Sequence, residues 1–164
     1  MLSSISAIMK KMVEYFDGDV RRINHALKVY AFAKSIGELE NIPAEKMKIL
    51  EAAAILHDVG IKESEKKYSS SSGKYQEIEG PPIAREILKE LNLPQDYGDR
   101  VCFLIGNHHT YLKIDDIDFQ ILVESDFLVN IFEDAMNQEQ IETIKKKYFK
   151  TKTALDYLES MYNS

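Results

Sequence analysis

The sequence predicts an all-α domain, a compact bundle of about seven helices, because apolar residues recur at helical spacing along nearly the whole chain. Two further observations agree. No segment shows strand alternation closed by a hairpin turn. Breakers are sparse, with 7 Gly and 4 Pro in 164 residues, so long stretches run uninterrupted.

From about Arg22 to Leu39, the residues His25, Val29, Phe32 and Ile36 share one helical face, with Gly37 near the end. Asn41 to Glu45 reads as a turn into a second helix, with Pro43 near its first position. That helix runs through the apolar stretch Ile49–Leu56 and stops near Gly60. Ser69–Gly73 is a serine-rich loop. Pro81-Pro82 open a third helix over Ile83–Leu91, and Pro94 starts a fourth that reaches about His109. A fifth spans about Asp116–Met136. Two shorter helices, Glu139–Lys147 and Thr151–Met161, carry apolar stripes such as Ile141, Ile144, Tyr148, Leu155 and Leu158. Those stripes suit packing on the core or a homodimer face. The expectation is one domain over residues 1–164, with its motifs in about 22–132 and helices 139–162 packed on them.

Composition sets limits on function. Apolar residues at 45% and charged residues at 29% exclude global disorder. A net charge of −6 lacks the electrostatic footprint of a protein that coats a nucleic-acid polymer. It leaves room for a small anionic substrate held by local cations. The one cysteine, Cys102, permits no intrachain disulfide. No apolar run approaches the roughly 20 residues of a membrane span, and MLSSISAIMKKM does not pattern as a signal peptide. The expected location is cytoplasmic, away from membranes.

Chemistry shows where polar residues interrupt apolar faces. His25 does so on the first predicted helix, and His57-Asp58 end the most apolar run of the chain. His108 follows Val101, Leu104 and Ile105; Asp126 sits among Phe119, Leu122, Val123 and Val129. A carboxylate on a core-facing stripe is costly unless it is paired or binds a metal. Asp58 also falls near a helix C-terminus, where the macrodipole disfavours negative charge. The chain has 4 histidines, and all of them, His25, His57, His108 and His109, belong to this set. Taken singly, each could be a satisfied core histidine or a helix cap. Taken together, imidazole and carboxylate donors from four helices suit a divalent transition metal: Mn, Fe, Co, Ni or Zn.

The ordered set His25, His57-Asp58, Asp126, with AAAILHDVGIK around the pair, resembles the HD superfamily of metal-dependent phosphohydrolases over roughly Asn24 to Ile131. The resemblance implies a helical fold, one or two divalent metals per chain, and hydrolysis of a small phosphate ester such as a nucleotide. It implies that His25, His57, Asp58 and Asp126 hold a first metal. Two-metal members carry a stretch like His-Pro-x-x-Gly-Ala-x-x-Leu; the matching stretch here is EGPPIAR, with Glu79 at the ligand place. They also carry a His-His pair, which His108-His109 resembles. Asp58 would then bridge the metals, with Glu79 and His108 completing a second site and His109 either a further ligand or a support just behind it. The family's lysine after the pair falls one position later here, at Lys62. The implied catalytic residues are Asp58, Lys62 and His109; Lys62, Lys74 and Arg85 are the expected phosphate contacts, beside a Ser69–Gly73 flap. Two other readings stay open: a diiron oxygenase on the same fold, and a non-catalytic metal- or nucleotide-binding module.

Overall fold

The computed structural model of the chain describes residues 4–162. The first three residues of MLSSISAIMKKM therefore lie outside the described residues. Among the described residues, nine α-helices follow one another: α1 (Ser4–Phe16), α2 (Val20–Leu39), α3 (Ala44–Leu56), α4 (Ile61–Tyr68), α5 (Gly73–Glu90), α6 (Gln95–Ile105), α7 (Ile117–Glu133), α8 (Gln138–Tyr148) and α9 (Lys152–Tyr162). A single 3-10 turn, Tyr111–Lys113, precedes α7. No strand occurs among the described residues. The all-α expectation holds, with two more helices than the sequence suggested.

Both additions have physical reasons. Helix α1 buries Ile8, Met12 and Phe16, a four-residue repeat that forms one apolar stripe against α2 and α3. Helix α4, IKESEKKY, buries only Ile61 and Ser64 and so offers almost no periodic signal. Ion pairs Arg22–Glu65 and Lys67–Glu79 tie it to α2 and α5. It ends at Ser69, in the left-handed region at φ 52°.

Helix α5 begins at Gly73, eight residues before the predicted start, and Pro81 and Pro82 lie inside it. Prolines in a helix forgo two amide donors. The carbonyl of Pro81 accepts from Cys102 Sγ of α6, at 3.5 Å, which ties α5 to α6. Helix α6 ends at Ile105, so His108-His109 occupy the turn beyond it rather than the helix itself.

Helices α2, α3 and α7 pack on one another at the centre. Helix α6 covers α3 from one side and α9 packs on α2 and α7 from another. Glycines set the crossing of α4 and α5. A Cβ on Gly60 would lie 2.6 Å from both Gln76 O and Gly80 N, so the two backbones approach directly. A Cβ on Gly80 would meet Ile105 Cγ2 at 2.8 Å. This chain of close contacts brings the starts of α4 and α5 and the end of α6 to one place.

Candidate metal centre

Three histidines arrive at that place with one ring nitrogen already engaged. His57 Nδ1 is 2.7 Å from Ala54 O, and His108 Nδ1 is 2.7 Å from Ile105 O, each bond closing the end of its own helix. His25 Nδ1 is 2.5 Å from Glu133 Oε1. In each case the partner accepts, so the proton sits on Nδ1 and Nε2 is left to face the interior. Acceptors of this kind fix tautomer and ring orientation in metal-ligating histidines.

The Nε2 atoms converge on two carboxylates. His25 Nε2 and His57 Nε2 are 3.1 Å apart. Asp126 Oδ1 lies 3.2 Å from the first and 3.4 Å from the second. Asp58 Oδ2 lies 3.2 Å and 3.5 Å from the same two nitrogens. The other oxygen of Asp58, Oδ1, is 3.5 Å from His108 Nε2. Asp58 thus stands between two donor groups, one made by His25, His57 and Asp126, the other by Asp58, His108 and His109.

Helix α7 supplies an internal control. It buries three carboxylates, Asp118, Glu124 and Asp126. Asp118 is held by Arg100 at 2.7 Å. Glu124 accepts from the amides of Lys150 and Thr151 and the Thr151 hydroxyl, at the start of α9. Asp126 accepts from Asn130 at 3.0 Å, and its cationic neighbours are the imidazoles. The first two serve the fold; the third serves the cluster.

The imidazoles and carboxylates shift one another strongly. Burial opposes charge on His25, yet hydrogen bonding to Asp126 and the field of Asp58 raise its pKa to about 9. Burial likewise opposes charge on His57, but Asp58 and Asp126 raise it. Burial would push both carboxylates up, but His57, His25 and His108 hold Asp58 well below the usual carboxylate range. His25 and His57 do the same to Asp126. Burial and the adjacent His108 lower His109 to about 4, which keeps it neutral. His108 Nε2, on a residue 2% exposed, has no hydrogen-bond partner among the described residues. A buried acceptor nitrogen without a donor, aimed at a carboxylate, is what a ligand to an added cation requires. The donor set of imidazoles and carboxylates fits a divalent transition metal.

The cluster floors a cleft of about 250 Å³. Its walls include Arg21, Arg22, Ile61, Ser71, Gln76, Asn130 and Glu133. The expected phosphate cations do not line it. Lys62 reaches the carbonyl of Tyr15 at 3.2 Å and lies over that ring. Lys74 lies over the Tyr75 ring. Arg85 pairs with Asp99 and lines a separate groove of about 550 Å³ between α5 and α6. Glu79 is not in either donor group; both its oxygens bind Lys67 Nζ, and one also accepts from Tyr68. One turn earlier, Gln76 takes the inward position, its Oε1 3.2 Å from His109 Nε2.

The family model of the HD domain matches residues 22–152, which contain every residue of both donor groups. The chain belongs to the HD domain family. A crystal structure of a predicted HD superfamily hydrolase from an uncultured Thermotogales bacterium superposes with a TM-score of 0.68. The two are 22% identical, and the match covers 94% of this chain and 83% of that one. Its likeness is one of fold. No curated protein matches the chain. Within the HD domain, the signals that sequence reading passed over are local. The HD-type stretch His-Pro-x-x-Gly places its first residue four before the glycine, which is Gln76 when Gly80 is the anchor. Glu133 lies seven residues beyond Asp126, two turns along the same helical face. Arg21 and Arg22 precede His25 by about one turn, close enough to share its end of α2.

Proposed function

We propose that this HD domain hydrolyses a phosphate ester of a small molecule, a nucleotide or related phosphometabolite, with a divalent metal in the cleft. The observation that carries the reading is the convergence of three oriented Nε2 atoms, the buried Asp126 and the half-buried Asp58 on the floor of an open cleft. A divalent ion held there supplies the Lewis acidity that activates water and neutralises phosphoryl oxygens.

The chain's own residues account for the rest. His25, His57, Asp58 and Asp126 hold one ion; Asp58, His108 and His109 hold a second. Glu133 and the carbonyls of Ala54 and Ile105 keep the imidazoles aimed inward. Arg22 is fixed by Asp19 and Glu65, whereas Arg21 has no ion-pair partner among the described residues and stands on the cleft wall. Arg21 is therefore the guanidinium free to grip a phosphate. Asp58, Asp126, Glu133 and Asp134 all border the cleft. Without metal, those carboxylates oppose an anionic substrate, so binding as well as turnover depends on the ion.

The test is release of inorganic phosphate from nucleoside mono-, di- and cyclic phosphates and sugar phosphates. Chelator-stripped protein is resupplied with Mn, Fe, Co, Ni or Zn, and oxygen uptake is followed beside it. Metal-dependent release from one substrate class, with KM raised in Arg21→Ala, is expected. Metal-loaded protein that releases phosphate from none of them would overturn the reading, and oxygen uptake by the iron form would redirect it to oxygenase chemistry.

A further inference from the structure

The two donor groups differ in charge, and the difference traces to one side chain. The first group contains Asp126, a carboxylate of its own, beside one oxygen of Asp58. The second has the other oxygen of Asp58, His108 and His109, and no carboxylate to itself. Helix α5 faces it with Gln76, whose amide brings no charge. The amide is held in place: its nitrogen donates to Ser71 O at 2.6 Å, so Oε1 points toward His109 Nε2. Neighbouring carboxylates on α5 are committed elsewhere. Glu77 accepts from the Thr110 hydroxyl and the His109 amide, and Glu79 from Lys67 and Tyr68. His108 Nε2, buried, without a hydrogen bond and 3.5 Å from Asp58 Oδ1, marks the second group as a built place for a cation all the same.

We infer that Gln76 makes the two centres unequal: a tight ion at His25, His57, Asp58 and Asp126, and a loose one at Asp58, His108 and His109 that is retained only with an anionic ligand. This rests on the metal reading proposed above. Affinity for a divalent ion follows the number of charged ligands and the rigidity of the site. A second dication close to the first meets repulsion that half of a shared carboxylate does not offset. A phosphate oxygen supplies the missing negative charge, so the loose ion and the phosphate bind together. In that arrangement α5, through Gln76 and its anchor on the Ser69–Ser72 loop, sets whether the resting protein carries one ion or two.

Equilibrium dialysis of stripped full-length chain against Mn²⁺, counted by elemental analysis, reads both sites without any assay of activity. The expected result is one ion bound tightly and a second bound at least about tenfold more weakly. Added inorganic phosphate strengthens the second step and leaves the first unchanged. Gln76→Glu strengthens the second step to a similar degree and reduces its response to phosphate. Two ions of equal affinity in the wild type, or a second step indifferent to phosphate, would overturn the inference while leaving the metal reading intact. Failure to bind any ion would overturn both. Should Gln76→Glu fail to fold, as judged by its helical circular dichroism, the phosphate response of the wild type decides alone.

Discussion

Glu133 shows what a single residue contributes beyond the ligands. Its carboxylate accepts from His25 Nδ1 and is also approached by Lys28 at 3.4 Å. Without that acceptor, the imidazole is free to take the other tautomer and turn Nε2 away from Asp126. Replacement of such partners weakens metal binding by about 10–100-fold. Glu133→Ala is expected to fall in that range when the tight ion is titrated against a competing chelator, with helical content unchanged. Affinity equal to that of the wild type would show that His25 is oriented by packing alone. The residues of the first donor group stood out in the sequence because a His or Asp among Val, Leu and Phe is an expensive placement that demands a partner. Glu133 did not, since a Glu near the end of a helix has many ordinary uses. Position alone likewise cannot tell a carboxylate aimed inward from one paired, as Glu79 is, with Lys67.

Among elements, α4 and α5 border the second donor group and were the hardest to read. Helix α4 is polar, and α5 runs through Pro81-Pro82, which as isolated signals mark a loop and a helix start. Their closeness depends on backbone contact at Gly60 and Gly80, and on Gly73, where an added Cβ would meet the His109 ring at 2.7 Å. Gly60→Ala forces two backbones apart, and overpacking of this kind costs about 1–3 kcal/mol. Calorimetry should show a Tm lowered by several degrees together with weaker binding of the second ion. Gly98→Ala is the contrasting case. Its Cβ would meet only Leu88 Cδ1 at 3.8 Å inside α6, and it should raise stability by about 0.5–1 kcal/mol. A Gly60→Ala chain as stable as the wild type would refute the direct crossing. By contrast, α2, α3 and α7 were legible from their apolar runs, because these central helices bury most of a face.

At the scale of the whole molecule, the site joins α2, α3, α7 and the turn after α6, so its charge state bears on global stability. In the metal-free chain the His25 pKa stands at about 9 against its ordinary 6.5. The stabilisation from that proton is complete below about pH 6.5 and is lost as pH rises toward 9. Asp58 and Asp126, held low by the same histidines, contribute above about pH 4 and lose their contribution as pH falls. The metal-free Tm should therefore peak between about pH 4 and 6.5 and decline toward pH 9. A metal ion must displace the His25 proton, so the rise in Tm on adding metal should grow over that same alkaline range. Melts with and without chelator from pH 6 to 9 check this; a metal-induced shift that shrinks with pH would contradict it.

Among the described residues, Asp58 is the carboxylate that reaches both donor groups. The most direct measurement is the metal content of anaerobically purified wild type beside Asp58→Ala, in atoms per chain, with circular dichroism on both. At least one transition-metal ion is expected in the wild type and its loss in the variant, with the helical spectrum retained. A variant that keeps its full metal content, or a wild type that takes up none when metal is added back, would make these histidines part of the core and nothing more.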